Sequence, residues 1–166
     1  TVVKPDTDLL IDGYPRSSNT WTEMLIREAG ADKLKLAHHA HAAAHVIKAQ
    51  RLGVPSVVLY RDPDAAVTSF LTLLENRVDA RGAYLDYVRF YKAVWPMRGP
   101  NVAFFSFDDM TNRSTEAVAY IAERFGLPLS VDRVSDTGSG SNVFERMYSN
   151  APDLKVLGQS HNSKPP

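Results

Sequence analysis

Residues 9–21 read LLIDGYPRSSNTW, and the fold of the chain turns on them. Leu9, Leu10 and Ile11 form a short apolar run that ends at Asp12 and Gly13, the pattern of a buried strand stopped by a turn. Tyr14, Pro15, Arg16, Ser17, Ser18 and Asn19 follow, and from Thr20 to Ala29 the spacing turns helical, with Trp21, Met24, Leu25 and Ala29 on one side and Gly30 as a stop. A strand that runs through a polar loop into a helix leaves free N–H groups at the helix start, where partial positive charge favours an anion. Arg16 adds a fixed charge and a planar fork of donors, and Ser17, Ser18, Asn19 and Thr20 add side-chain donors. A triphosphate-binding loop reads G-x-x-x-x-G-K-[ST]. Counted from Gly13, its second Gly and its Lys fall on Ser18 and Asn19, followed by Thr20. The frame is that of a phosphate loop and the lysine is absent. The same residues also fit a plain capped helix, since Ser, Asn and Thr are good caps.

Outward from this stretch, elements alternate. Residues 34–37 form a weak second strand, and the alanine-rich segment 40–51 favours helix and closes at Gly53 and Pro55. "SVVLY" (56–60) is β-branched and bounded by Pro55 and Pro63, a clear strand. Pro63 fits the first turn of a helix to about Leu74, and a further helix covers 84–94 before Pro96. "VAFFS" (102–106) reads as a strand, and 114–125 as a helix ended by Gly126 with Pro128 beyond. Strands separated by helices predict an α/β fold with a parallel sheet, whose ligands bind beyond the carboxyl ends of the strands. After Ser130 the pattern dissolves, so the reading is one domain over 1–166 with 135–166 irregular.

Composition bounds the chemistry. With 19 basic and 19 acidic residues among 166, net charge gives no pull toward nucleic acid or an anionic membrane, and any anion site rests on a few placed groups. The absence of cysteine excludes disulfides and thiolate metal sites. No apolar stretch approaches the ~20 residues that span a bilayer, and no basic-then-apolar segment opens the chain. The expectation is a soluble cytoplasmic domain with no nucleic-acid or membrane partner.

A second stretch, "VVLYRDPDAAVTSF" (57–70), again joins a strand to a helix start, with Arg61 just past the strand and Ser69 eight residues on. Together the two stretches resemble the sulfotransferase family. "YPRSSNTW" is similar to its 5′-phosphosulfate loop, Tyr-Pro-Lys/Arg-Ser-Gly-Thr-Thr-Trp, and "YRDPDAAVTS" to its 3′-phosphate motif, an Arg followed eight residues later by a Ser. "FFSFDDM" (104–110) and the helix ending "FGL" (125–127) resemble later segments of the family, so the likeness covers roughly residues 9–129. It implies a three-layer, P-loop NTPase-like fold and 3′-phosphoadenosine 5′-phosphosulfate (PAPS) as the sulfuryl donor, with 3′-phosphoadenosine 5′-phosphate (PAP) as product. No metal is implied, and the acceptor implied is a hydroxyl or amine of a small molecule. By the same resemblance Arg16 takes the place of the catalytic Lys or Arg, and Asn19 and Thr20 bind the 5′-phosphate. Tyr14, Pro15, Ser17 and Ser18 complete the loop, and Arg61 and Ser69 bind the 3′-phosphate. Trp21 is placed for the adenine or, on its apolar helix side, for the core. The sequence departs from the pattern at Ser18 (usually Gly) and Asn19 (usually a hydroxyl residue), and it lacks the late Arg-Lys-Gly motif. A small-molecule or nucleotide kinase and a noncatalytic phosphonucleotide-binding module are the alternatives.

The histidines of "AHHAHAAAH" remain: His38, His39, His41 and His45. The family keeps a basic His about 22 residues before its 3′-phosphate arginine, which falls here on His39 with His38 adjacent. A neutral imidazole suits a general base. His41 and His45, four apart, have the spacing of a helical zinc pair without the glutamate of His-Glu-x-x-His. Tyr84, Tyr87, Tyr91 and Trp95 form a helical stripe that reads as core rather than acceptor platform.

Overall fold

β1 (Leu9–Gly13) is buried at every residue, as a strand with neighbours on both edges and helices on both faces must be. β2 (Leu36–His38) lies on one side of it, β3 (Ser56–Tyr60) on the other, and β4 (Val102–Ser106) beyond β3, all parallel, in the order β2-β1-β3-β4. The computed structural model describes residues 1–30, 33–75 and 77–134, which fall in the compact unit Thr1–Asp136. The expectations for residues 135–166, including their place in a single domain, lie outside the described residues.

The helices are α1 (Asn19–Gly30), α2 (Ala43–Arg51), α3 (Pro63–Leu73), α4 (Ala80–Val94), α5 (Phe107–Asn112) and α6 (Ser114–Phe125). On one face of the sheet Leu10, Val58 and Val102 pack with Val46 and Ala49 of α2 and Phe90 and Val94 of α4. On the other, α1 packs against β1, α5 and α6, and the buried Trp21 Nε1–H donates to the Met110 carbonyl at 2.8 Å. The result is the α/β fold with a parallel sheet that the alternation predicted, in the three layers that the resemblance implied. No helix among the described residues is long and apolar enough to cross a membrane.

Element ends differ from the sequence reading where long-range bonds decide. β2 is shorter and α2 starts at Ala43 rather than 40, because His39 (φ 58°) and His41 (φ 51°) turn the chain and the His41 N–H is taken by Asp12. α4 begins at Ala80 rather than 84, since Asp79 accepts from Gly82 N at 2.8 Å. α5 was not foreseen. It starts at a reciprocal capping box in which Ser106 Oγ accepts from Asp109 N and the Asp109 carboxylate accepts from Ser106 N.

From β1 the chain goes outward to β2, then returns past β1 to β3. The connections leaving β1 and β3 therefore diverge, and a crevice opens between the carboxyl ends of those two strands. Its width is set by Gly13, where an added Cβ would lie 2.3 Å from the Leu59 carbonyl oxygen. Backbone cannot swing aside as a side chain does. Gly13→Ala is expected to cost at least about 2 kcal/mol, read as a lowered urea midpoint; an unchanged midpoint would contradict the close approach.

Candidate anion-binding site

Tyr14 to Ser18 form the loop between β1 and α1. Arg16 (φ 68°) and Ser18 (φ 69°) lie in the left-handed region while Ser17 and Asn19 do not. Such alternation curls successive N–H groups toward a common centre, the geometry of an anion nest. Among the described residues the N–H groups of Arg16, Ser17, Ser18, Asn19 and Thr20 make no hydrogen bond within the chain. The loop is thus a ring of unspent donors at a helix start.

Two cations close over it. Arg16 Nε donates to Ser69 Oγ on α3 at 2.9 Å, and Arg61 Nη1 donates to the Arg16 carbonyl at 3.3 Å. Arg61 also lies 4.2 Å from the centroid of Phe107, the first residue of α5. Neither guanidinium forms an ion pair with a carboxylate among the described residues. Burial and the nearby Arg16 charge both push Arg61 below its ordinary value. Asp108 and Asp62 offset these influences only in part, and two like charges held together make a site that gains by taking an anion.

The tyrosine stripe fixes these loops. Tyr91 OH donates to the Leu59 carbonyl at 2.7 Å and accepts from Tyr14 N at 3.3 Å, so one hydroxyl ties the ends of β1 and β3. Tyr87 OH donates to the Arg61 carbonyl at 2.6 Å, and Tyr84 OH to Asp64 Oδ1 at 2.5 Å. Burial pushes Tyr91 and Tyr87 upward, so both remain neutral donors. The expectation of core packing was half of the answer: the rings pack, and the hydroxyls hold the binding loops.

At the β2 edge, Asp12 organises the histidines. Its carboxylate has no solvent exposure. Oδ1 accepts from Gly13 N and His41 N, both at 3.0 Å, and Oδ2 meets His45 Nδ1 at 2.8 Å. Val3 N donates to His45 Nε2 at 2.9 Å, which requires a lone pair there and puts the proton on Nδ1. With both nitrogens of His45 spent, and His41 Nδ1 on the Gly13 carbonyl at 2.7 Å, the His41–His45 metal pair suggested by spacing does not form. His39 instead turns its Nε2 to Thr20 Oγ1 at 3.1 Å, next to the loop. Its Nδ1 faces His38 Nδ1 at 2.6 Å and Glu23 Oε2 at 3.3 Å. Burial is the leading influence on His39 and holds it below its ordinary value, in the neutral form.

Of the residues singled out in the sequence, Arg16, Thr20, His39, Arg61 and Ser69 therefore converge, with His38 behind His39. Pro15 is half-buried within the loop. Five side chains are buried or spend their polar atoms within the chain. Trp21 is 2% exposed and lies in the core, with its Nε1–H on the Met110 carbonyl. Tyr14 is buried, with its OH on the Ala83 carbonyl at 3.0 Å. Asn19 is buried and donates to the Tyr14 carbonyl at 3.1 Å, so it offers the crevice only its N–H. Ser17 is buried beside Tyr91 OH, and Ser18 Oγ bonds the Ser17 carbonyl. Phe107, Glu23 and the role of the Tyr91 hydroxyl were missed; only the "FFSFDDM" segment signalled the first. A cavity of about 600 Å³ lies elsewhere, along β4 between Trp95, Phe104, Arg113 and Tyr120, and holds none of the convergent groups.

No family model and no curated protein matches the chain. Solved structures do. Mouse sulfotransferase SULT7A1 complexed with PAP is similar at TM-score 0.57 and 14% identity, over 88% of this chain and 65% of that one. Retinol dehydratase in complex with androsterone and the inactive cofactor PAP is similar at TM-score 0.60 and 17% identity, over 94% of this chain and 71% of that one. The chain has the sulfotransferase fold. It spans 65% of the length of the mouse enzyme, and the likeness is one of fold.

His45→Ala is expected to destabilise by about 3–5 kcal/mol, because it strips a partner from a buried carboxylate and from Val3 N together. Urea unfolding reads this directly. A loss below about 1 kcal/mol would mean that Asp12 is not held as described.

Proposed function

We propose that the chain binds PAPS and transfers its sulfuryl group, in line, to a hydroxyl or amine of a small acceptor. The observation that carries this reading is that Arg16 and Arg61, neither ion-paired with a carboxylate among the described residues, meet beside Ser69 over a loop whose N–H groups make no hydrogen bond within the chain. A nucleotide with phosphate at both its 5′ and 3′ positions asks for two anion subsites side by side. The loop N–H groups and Thr20 supply the first, Arg61 and Ser69 the second, and Arg16 spans the two.

In this reading the acceptor oxygen forms a bond to sulfur as the bond from sulfur to the bridging oxygen breaks, and charge develops on the departing 5′-phosphate. The loop amides and Arg16 are fixed in advance where that charge grows, so stabilisation needs no reorganisation. Arginine does not give up its proton, so Arg16 acts as an electrostatic clamp. The acceptor proton goes to His39 Nε2, on the ring face beside Thr20. Glu23 and His38 hold the opposite nitrogen and so orient the base. The kinase alternative is disfavoured by Asn19. It stands in the lysine's place yet is buried against the Tyr14 carbonyl and brings no charge to a γ-phosphate.

Two outcomes are expected. In calorimetry PAP binds at least about tenfold more tightly than AMP, and Arg61→Ala removes most of that preference, as the loss of one charge-assisted phosphate contact requires. Equal affinity for PAP and AMP would exclude the 3′ subsite, and PAP binding without sulfuryl transfer to any of a panel of alcohols would favour a noncatalytic module. The acidic limb of the rate profile should fall with a midpoint below the ordinary 6.5 of histidine, since burial lowers His39 and the base works only when neutral. A limb above 6.5, or one retained in His39→Ala, would assign the base elsewhere.

A further inference from the structure

The geometry points to a transition-metal site, of the class that takes Zn²⁺, built from Glu23, His38 and His39. The three offer one ligand atom each, all within 4.8 Å of one another. His38 Nδ1 lies 2.9 Å and His39 Nδ1 3.3 Å from Glu23 Oε2, and the two ring nitrogens are 2.6 Å apart. Atoms bound to a tetrahedral ion at 2.0–2.1 Å stand about 3.4 Å apart. Binding would therefore ask the two rings to part by less than about 1 Å, with the Glu23 contacts almost unchanged.

Proton counting supports the same conclusion. Two ring nitrogens at 2.6 Å have room for one proton between them, so at least one presents a lone pair to the other. Thr20 Oγ1 meets the far nitrogen of His39 at 3.1 Å, and in the tautomer with the proton on Nε2 that contact is Nε2–H to oxygen and the lone pair of Nδ1 faces Glu23 and His38. Metal binding selects that tautomer. A bond on the distal nitrogen is how ligating histidines are normally held. Glu23 is held likewise. Arg27 Nε donates to its Oε1 at 2.9 Å and leaves Oε2 for the cluster. Two imidazole nitrogens and one carboxylate are the donor set of three-ligand zinc sites with a fourth position open. The side chains are 14–29% exposed, so an ion can enter and a water can complete the shell.

The pieces come from two elements fixed independently: Glu23 from the middle of α1, the histidines from the end of β2 and the left-handed turn at His39. The site shares His39 with the sulfuryl-transfer reading but does not rest on that reading. Where both hold, a metal on Nδ1 keeps the proton on His39 Nε2, so occupancy would block the base.

The test is titration of the intact chain, purified through chelator, with Co²⁺ followed by visible absorption and with Zn²⁺ followed by calorimetry. One ion per chain is expected, with the intense visible bands of tetrahedral cobalt. His38→Gln and Glu23→Gln should each weaken binding at least about 100-fold while far-UV circular dichroism stays unchanged. His41→Ala, whose ring bonds the Gly13 carbonyl, should keep it. No stoichiometric binding, or binding that survives both substitutions in the cluster, would overturn the site. Because the readout is metal binding and not turnover, its failure leaves the proposed function untouched, and failure of that function leaves the site.

Discussion

β3 can run this close to β1 only because Gly13 puts no Cβ between them: one built there would lie 2.3 Å from the Leu59 carbonyl oxygen, at the head of the crevice that the diverging connections open. That one missing Cβ sets the distance between the two loops that carry the cations. Once Leu59 is drawn in, Tyr91 can span from its carbonyl to Tyr14 N, and Arg61 can reach the Arg16 carbonyl. Repulsion between Arg16 and Arg61 would push the loops apart, and a few neutral hydroxyls from α4 hold them in place. The arrangement stores an unfavourable interaction that an anion relieves, which is how a protein of zero net charge can hold a strongly cationic spot.

A second restraint works at the other edge of β1. Asp12 joins the strand end, the His41 turn and α2 through one carboxylate, and thereby sets His39 against Thr20. Four of the five non-glycine residues with positive φ among the described residues, Arg16, Ser18, His39 and His41, lie in these two loops. Each costs roughly 1–2 kcal/mol, and each persists because bonds from elsewhere in the fold over-determine it. Strain gathered in two loops of one crevice marks a site whose shape is imposed by the scaffold. Ser18 shows it most plainly. The residue stands where glycine would be free of cost, and the loop still adopts the left-handed conformation.

Much of this could be read from the chain. The apolar runs at 9–11 and 56–60 became the two central strands, and the spacing of Arg61 and Ser69 became a helix that presents Ser69 to Arg16. Local periodicity suffices where burial and chain direction decide. It failed where a contact from far along the sequence decides. The alanines after His39 favour helix by propensity, but Asp12, 29 residues before His41, takes the His41 N–H and keeps the segment in a turn. Trp21 and Asn19 belong to the loop motif by sequence and to the core by structure, since the helix side they occupy faces Met110 and the Tyr14 carbonyl. The role of the tyrosine hydroxyls was hidden for the same reason. A helical stripe announces that rings are buried, not where their oxygens end. The strand was read to stop at Ser106, as β4 does, but the Ser106–Asp109 box that starts α5 there was not recognised.

The central claim is that Arg16 and Arg61 converge on one nucleotide bearing phosphate at two positions. A crystal structure of the chain with PAP tests it most directly. The account requires the 5′-phosphate within hydrogen-bond distance of the N–H groups of Arg16 to Thr20, and the 3′-phosphate between Arg61 and Ser69, with Arg16 Nε released from Ser69 or shared with it. A nucleotide bound outside the crevice, or one whose 3′-phosphate points to solvent while Arg61 stays on the Arg16 carbonyl, would contradict it.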